Sequence, residues 1–123
     1  MVEAILVCPD IEDGRRFLDI LNIEGFGVTA ALWHKPPGGM WRFTIVTPLV
    51  ETEDIRVLVR RLVTALRSAS PPLHFTLNEI YTEGPKSPFA KHLRRHAKGA
   101  VNTTVTGYSI EDGSEEGYIY FVK

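Results

Sequence analysis

The segment Val28-Thr-Ala-Ala-Leu-Trp-His-Lys-Pro-Pro-Gly-Gly-Met-Trp-Arg-Phe-Thr-Ile-Val-Thr47 decides how this chain folds. Two runs of aromatic and β-branched residues flank Pro36-Pro37-Gly38-Gly39, the signature of an antiparallel hairpin. With those residues as the loop, Lys35 faces Met40, His34 faces Trp41, Leu32 faces Phe43, Ala30 faces Ile45 and Val28 faces Thr47. Side chains alternate across a strand, so these pairs share one apolar face suited to a core. The opposite face pairs Trp33 with Arg42, Ala31 with Thr44 and Thr29 with Val46. Trp33 against Arg42 is a candidate cation–π contact and a candidate binding pair. That second face is small and mixed rather than charged, as expected where a helix covers it, with self-association as the alternative. A loop of odd length would exchange the two faces.

Outward from the hairpin, the chain alternates helices and strands. Residues 2–7 read as a short strand, with a helical start as the alternative, followed by a helix capped by Asp10, with Gly14, Phe17, Leu18 and Leu21 on one side. Gly25 and Gly27 end it. A second helix, capped by Thr52 and running to about Ala69, carries Ile55, Leu58, Val59, Leu62, Val63 and Leu66 at helical spacing. Leu73–Leu77 alternates as a strand, with Ile80-Tyr81 extending it past an irregularity at Asn78. Ser87 caps a third helix with Pro88 at its first position, and Gly99 stops it. Thr103–Ile110 and Tyr118–Val122 form a closing hairpin. The predicted class is α+β, a single domain over residues 1–123, with a largely antiparallel sheet of about five strands and three helices packed on it.

At 123 residues with 44% hydrophobic and 24% charged content, the composition is that of an ordinary globule. A net charge of −1 supplies no global attraction for nucleic acid or an anionic membrane. The single cysteine, Cys8, excludes an intrachain disulfide and a thiolate cluster for zinc. No run approaches the ~20 apolar residues of a membrane span, and no secretory signal is visible, so a cytoplasmic location is expected.

Chemistry concentrates on the third helix. Lys91, Arg94, Arg95 and Lys98 recur at spacings of three and four, and residues 86–98 hold five cations and no acid. Such a stripe suits phosphates; the competing reading is a solvated face, or one paired with Glu111, Asp112, Glu115 and Glu116. His92 and His96, four residues apart, are the candidate catalytic pair. With Lys91 or Arg94 they permit a metal-independent ribonuclease scheme, one imidazole as base and one as acid, with Tyr108, Tyr118 or Tyr120 assisting. They do not match the His-Glu-x-x-His pattern, and a third metal ligand would have to come from His34, His74 or a distant carboxylate, so no metal and no cofactor are expected. Arg56, Arg60 and Arg67 form a lesser stripe preceded by Glu53 and Asp54. Cys8, beside Pro9 and nearby acids, is a poor nucleophile. No phosphate loop, nucleophile elbow or dinucleotide fingerprint occurs.

The sequence therefore places first a non-catalytic binding module, acting on itself as a homo-oligomer or on a macromolecular partner, with no membrane. An RNA-directed nuclease or a phosphate- or nucleic-acid-binding protein built on helix 88–98 comes second, disfavoured by the net charge. Whether the molecule is an enzyme is left open by these patterns.

Overall fold

The computed structural model describes residues 8–106 and 116–123, so the strand expected over residues 2–7 and the turn of the closing hairpin lie outside the described residues. The elements run α1 (Cys8–Ile23), β1 (Ala30–Lys35), β2 (Arg42–Val46), α2 (Leu49–Thr52), α3 (Ile55–Ser68), a 3-10 turn (Leu77–Glu79), β3 (Ile80–Glu83), α4 (Pro88–Ala97), β4 (Val101–Thr106) and β5 (Glu116–Val122). All five strands join one sheet in the order β3-β2-β1-β5-β4. It is α+β and mostly antiparallel, as predicted; the exception is β3, which runs parallel to β2.

The β1–β2 hairpin forms where expected, but its register is shifted by one residue. Leu32 pairs with Thr44 and Trp33 with Phe43, so Leu32 and Phe43 lie on opposite faces, not together. The seven residues between the last ladder pair, His34 and Arg42, form the odd-length connection that exchanges the faces. Trp33 accordingly packs edge-on to Phe43, with ring centroids 5.1 Å apart, and makes no pair with Arg42. Arg42 instead lies over the Tyr81 ring at 4.6 Å.

Both faces of the sheet are covered by this chain. One carries Ala31, Trp33, Phe43, Ile45 and Tyr120 against Phe17 and Leu21 of α1, Leu58 and Leu62 of α3, and Phe75. The other carries Ala30, Leu32, Val46, Ile119 and Val122 against Phe89, Ala90 and Leu93 of α4. Each large side chain so buried contributes ~1.5–3 kcal/mol. A helix or helices of the same chain thus cover each face, the arrangement the sequence set first for the second face.

Several local readings need correction. The first helix begins at Cys8, which puts Asp10 in its first turn rather than at its cap. Asp54, not Thr52, caps α3, its carboxylate accepting the Arg56 amide at 2.8 Å. The buried face of α3 is Leu58, Leu62 and Ala65, while Ile55 and Val59 are exposed. Residues 73–77 form no strand: Phe75 plugs the aromatic core, and the His74 amide donates to Asp13 Oδ2 at 2.7 Å. By contrast, α4 starts and stops as read. Ser87 Oγ accepts the Ala90 amide at 3.1 Å, Pro88 occupies the first turn, and Gly99 adopts φ +86° just beyond the end.

Candidate nucleic-acid interface

The ten residues of α4 divide by helical spacing into an inner and an outer side. Phe89, Ala90 and Leu93 are buried against the sheet, which forces Lys91, Arg95 and Lys98 outward into solvent, with Arg94 half-buried beside them. Among the described residues, none of these four cations makes a hydrogen bond or ion pair. The ion pairs Arg15–Glu12, Arg16–Asp13, Arg56–Asp54 and Arg61–Glu53 sit on α1 and α3 instead. Of the acids considered as partners from sequence, Glu116 is described and does not pair with α4; Glu111, Asp112 and Glu115 lie outside the described residues.

Charge is therefore segregated. Residues 86–98 carry +5, while the rest of the chain has nine cations and fifteen acids, a net −6. A total near zero conceals a local positive surface on one helix.

Two hollows meet at the head of that helix. The first, about 350 Å³, lies between β2, β3 and α4, with Arg42, Tyr81, Thr82 and Glu83 on its walls and His34, Thr44, Pro88 and Phe89 completing it. The second, about 380 Å³, is bounded by Pro88, Lys91, His92 and Arg95. Pro88 lines both, so the hollow that holds Arg42 and the one that holds Lys91 and Arg95 adjoin the same residue. This convergence was not visible in sequence, because it depends on the parallel β2–β3 pairing that sets Phe43 beside Ile80 and Thr44 beside Tyr81. The succession strand, helix, strand over residues 42–83 was the available signal for a parallel crossover.

Polar groups reach into the first hollow from the sheet. His34 and Thr44 are each 2% exposed on the α4 side of β1 and β2, and His34 Nε2 shares a 2.6 Å hydrogen bond with Thr44 Oγ1. The Phe89 ring packs on the imidazole, with centroids 5.3 Å apart. A buried polar pair in an otherwise aliphatic layer is costly unless satisfied, and here each partner answers the other.

The four histidines do not converge. His34 lies beneath the head of α4, and His74 is on the far side of the sheet, its Nδ1 held by the buried Asp13 carboxylate. Burial pushes that carboxyl upward, but the His74 amide and ring together with Arg16 outweigh it and hold Asp13 below the ordinary carboxylate range. His92 and His96 touch each other, with centroids 4.3 Å apart, and His92 Nε2 is buried without a hydrogen-bond partner among the described residues. Among the described residues, no three His, Cys, Asp or Glu side chains group as metal ligands would.

Trp33, named with Arg42 as a binding residue from sequence, is 3% exposed on the opposite face, where its indole N–H donates to the Tyr120 oxygen at 3.0 Å. That oxygen in turn donates its proton to the Ile11 carbonyl at 2.7 Å, and burial pushes the Tyr120 phenol well up from its ordinary value. Tyr118 points its hydroxyl toward Asn102 and Arg15, away from α4. Tyr108 and Cys8 fall among residues whose side chains are not described. No helix of the described residues is long and apolar enough to cross a membrane.

Comparison with models of protein families, with curated proteins and with solved structures found no match to this chain.

Proposed function

We propose that this protein is a non-catalytic binding module that engages single-stranded nucleic acid along α4. The observation that carries the reading is the row of exposed cations, Lys91, Arg95 and Lys98 with Arg94 beside them, held on a rigid helix without a partner among the described residues. Elsewhere, the basic side chains of Arg15, Arg16, Arg56 and Arg61 are engaged by acids of the same chain. A cation kept in solution by a packed helix loses little further freedom when it meets a phosphate. Arg42 lines a hollow that shares Pro88 with the one bounded by Lys91 and Arg95, which adds a cation from outside the helix. Cleavage is left out of the reading, because His92 and His96 are in contact and His92 Nε2 is buried.

The experiment is a salt titration of binding to a generic single-stranded RNA. Affinity should fall linearly on logarithmic axes as salt rises. No affinity at low ionic strength would remove the reading.

A second reading, self-association, is favoured by β4. This edge strand is Val101-Asn-Thr-Thr-Val-Thr106, with no charge and no proline, and Val101 through Thr104 are exposed. No described strand pairs with its outer edge, and unprotected edges of this kind invite a further strand. Light scattering across a concentration series decides it: a strict monomer ends this reading, whereas a dimer dispersed by Thr104→Lys supports it.

A further inference from the structure

We propose that Arg42 and Tyr81 form a stacking shelf for one base of the strand whose phosphates lie on α4. This rests on the nucleic-acid reading above and adds to it a contact to a base. The strand register puts both residues on the face of the sheet that α4 covers. Arg42 pairs with His34, which packs under Phe89 of α4, and Tyr81 pairs with Thr44, two residues along the same strand from Arg42. The apolar side of α4 rests on Ala30 and Leu32 of β1, Val46 of β2, and Ile119 and Val122 of β5. Tyr81 belongs to β3, the outermost strand on that side, and is left 42% exposed.

The Arg42 guanidinium lies over the Tyr81 ring at 4.6 Å, a cation–π contact that holds a long side chain in place before any ligand arrives. A guanidinium and a phenol ring are both plates on which nucleobases stack. Both residues border the hollow of about 350 Å³ at the head of α4, which has room for a base with part of its sugar. Pro88 borders this hollow and the one bounded by Lys91 and Arg95, so a strand seated on the shelf reaches those cations across a single residue. Glu83 and Thr44 also border the space, but both are engaged within the chain, Thr44 by His34. The shelf therefore meets a base through its π face and not through its pairing edge. Every base has such a face, so no sequence code follows; adenine and guanine, with two fused rings, offer more of it than cytosine and uracil.

The test uses fluorescence anisotropy with two ten-nucleotide DNA strands that carry the same phosphates: oligodeoxyadenylate, and a sugar–phosphate strand without bases. The unaltered protein should bind the adenine strand about tenfold more tightly, the order expected of one stacked base. Tyr81→Ala should bring the two strands to nearly equal affinity, whereas Tyr81→Phe should keep the difference, and neither should alter the salt slope. Arg42→Lys, which keeps the charge and loses the plane, should also narrow the difference and replaces Tyr81→Ala should that variant fail to fold. Equal binding of both strands by the unaltered protein overturns the shelf while leaving the helix surface standing. An adenine advantage that survives both Tyr81→Ala and Arg42→Lys overturns it equally. Absence of binding to either strand at low salt removes both proposals.

Discussion

Gly14 of α1 lies directly against the phenol of Tyr120: a Cβ at position 14 would stand 2.1 Å from the Tyr120 oxygen and 2.9 Å from Phe43 Cε2. The absence of a side chain lets α1 settle onto β5 and β2, close enough for the Tyr120 hydroxyl to reach the Ile11 carbonyl at 2.7 Å. Gly14→Ala should therefore destabilise the fold by ~1–2 kcal/mol even though alanine is the better helix former. Urea unfolding measures this, and an unchanged or raised midpoint contradicts the close packing.

The Asp13–His74 contact predicts an acid limb in the stability profile. The folded carboxyl titrates below its ordinary value of 3.8. Its contribution is thus complete above that value and disappears as pH falls through the lower folded one. Denaturation midpoints measured from pH 6 down to pH 2 should decline through that window, and Asp13→Asn should flatten the decline. A profile with the same slope in both proteins would place the acid sensitivity elsewhere.

Ser87 holds the first turn of α4 through the Ala90 amide. Ser87→Ala should cost ~1 kcal/mol of stability. Faster amide hydrogen exchange confined to α4 would show that the loss is local.

His92 carries a buried ring nitrogen with no partner among the described residues. Replacement by a similar apolar side chain removes that desolvation penalty. His92→Leu is expected to leave stability equal or raised by ~1 kcal/mol, and RNA binding intact. A loss beyond that range in a thermal melt would mean the imidazole has a structural duty.

Lys91→Gln and Arg95→Gln should each weaken RNA binding without regard to sequence and reduce the slope of log affinity against log salt by about 0.7. Lys123→Gln, in the final residue of the chain, serves as the control. Equal slopes in all three variants would remove α4 as the phosphate-contacting element.

How much of this was legible in sequence depended on whether local chemistry or distant packing set each feature. The limits of α4 were readable, since Ser87, Pro88 and Gly99 act within a few residues of themselves. The apolar side of α1 was readable too, down to Gly14, because Phe17 and Leu21 repeat at helical spacing. The hairpin register was not. Hydrophobic pattern specifies register only where one face is polar, and here Trp33 and Phe43 on one side are as apolar as Leu32 and Val46 on the other. Residues 73–77 misled for the opposite reason: Leu73, Phe75 and Leu77 alternate because a non-strand segment presses them onto the core. The hollow beside α4 joins Arg42 to residues about forty positions away through the β2–β3 ladder, a pairing no local pattern displays.

The helix that offers Lys91 and Arg95 to solvent is also the lid over Leu32, Val46 and Ile119. Occupancy of its outside and integrity of the interior are therefore thermodynamically linked. Any ligand that binds only the folded helix adds ~2.7 kcal/mol to the unfolding free energy at a hundredfold excess over its dissociation constant, and the melting temperature rises with its concentration. A thermal-shift screen therefore reports what this molecule holds without presupposing its chemistry.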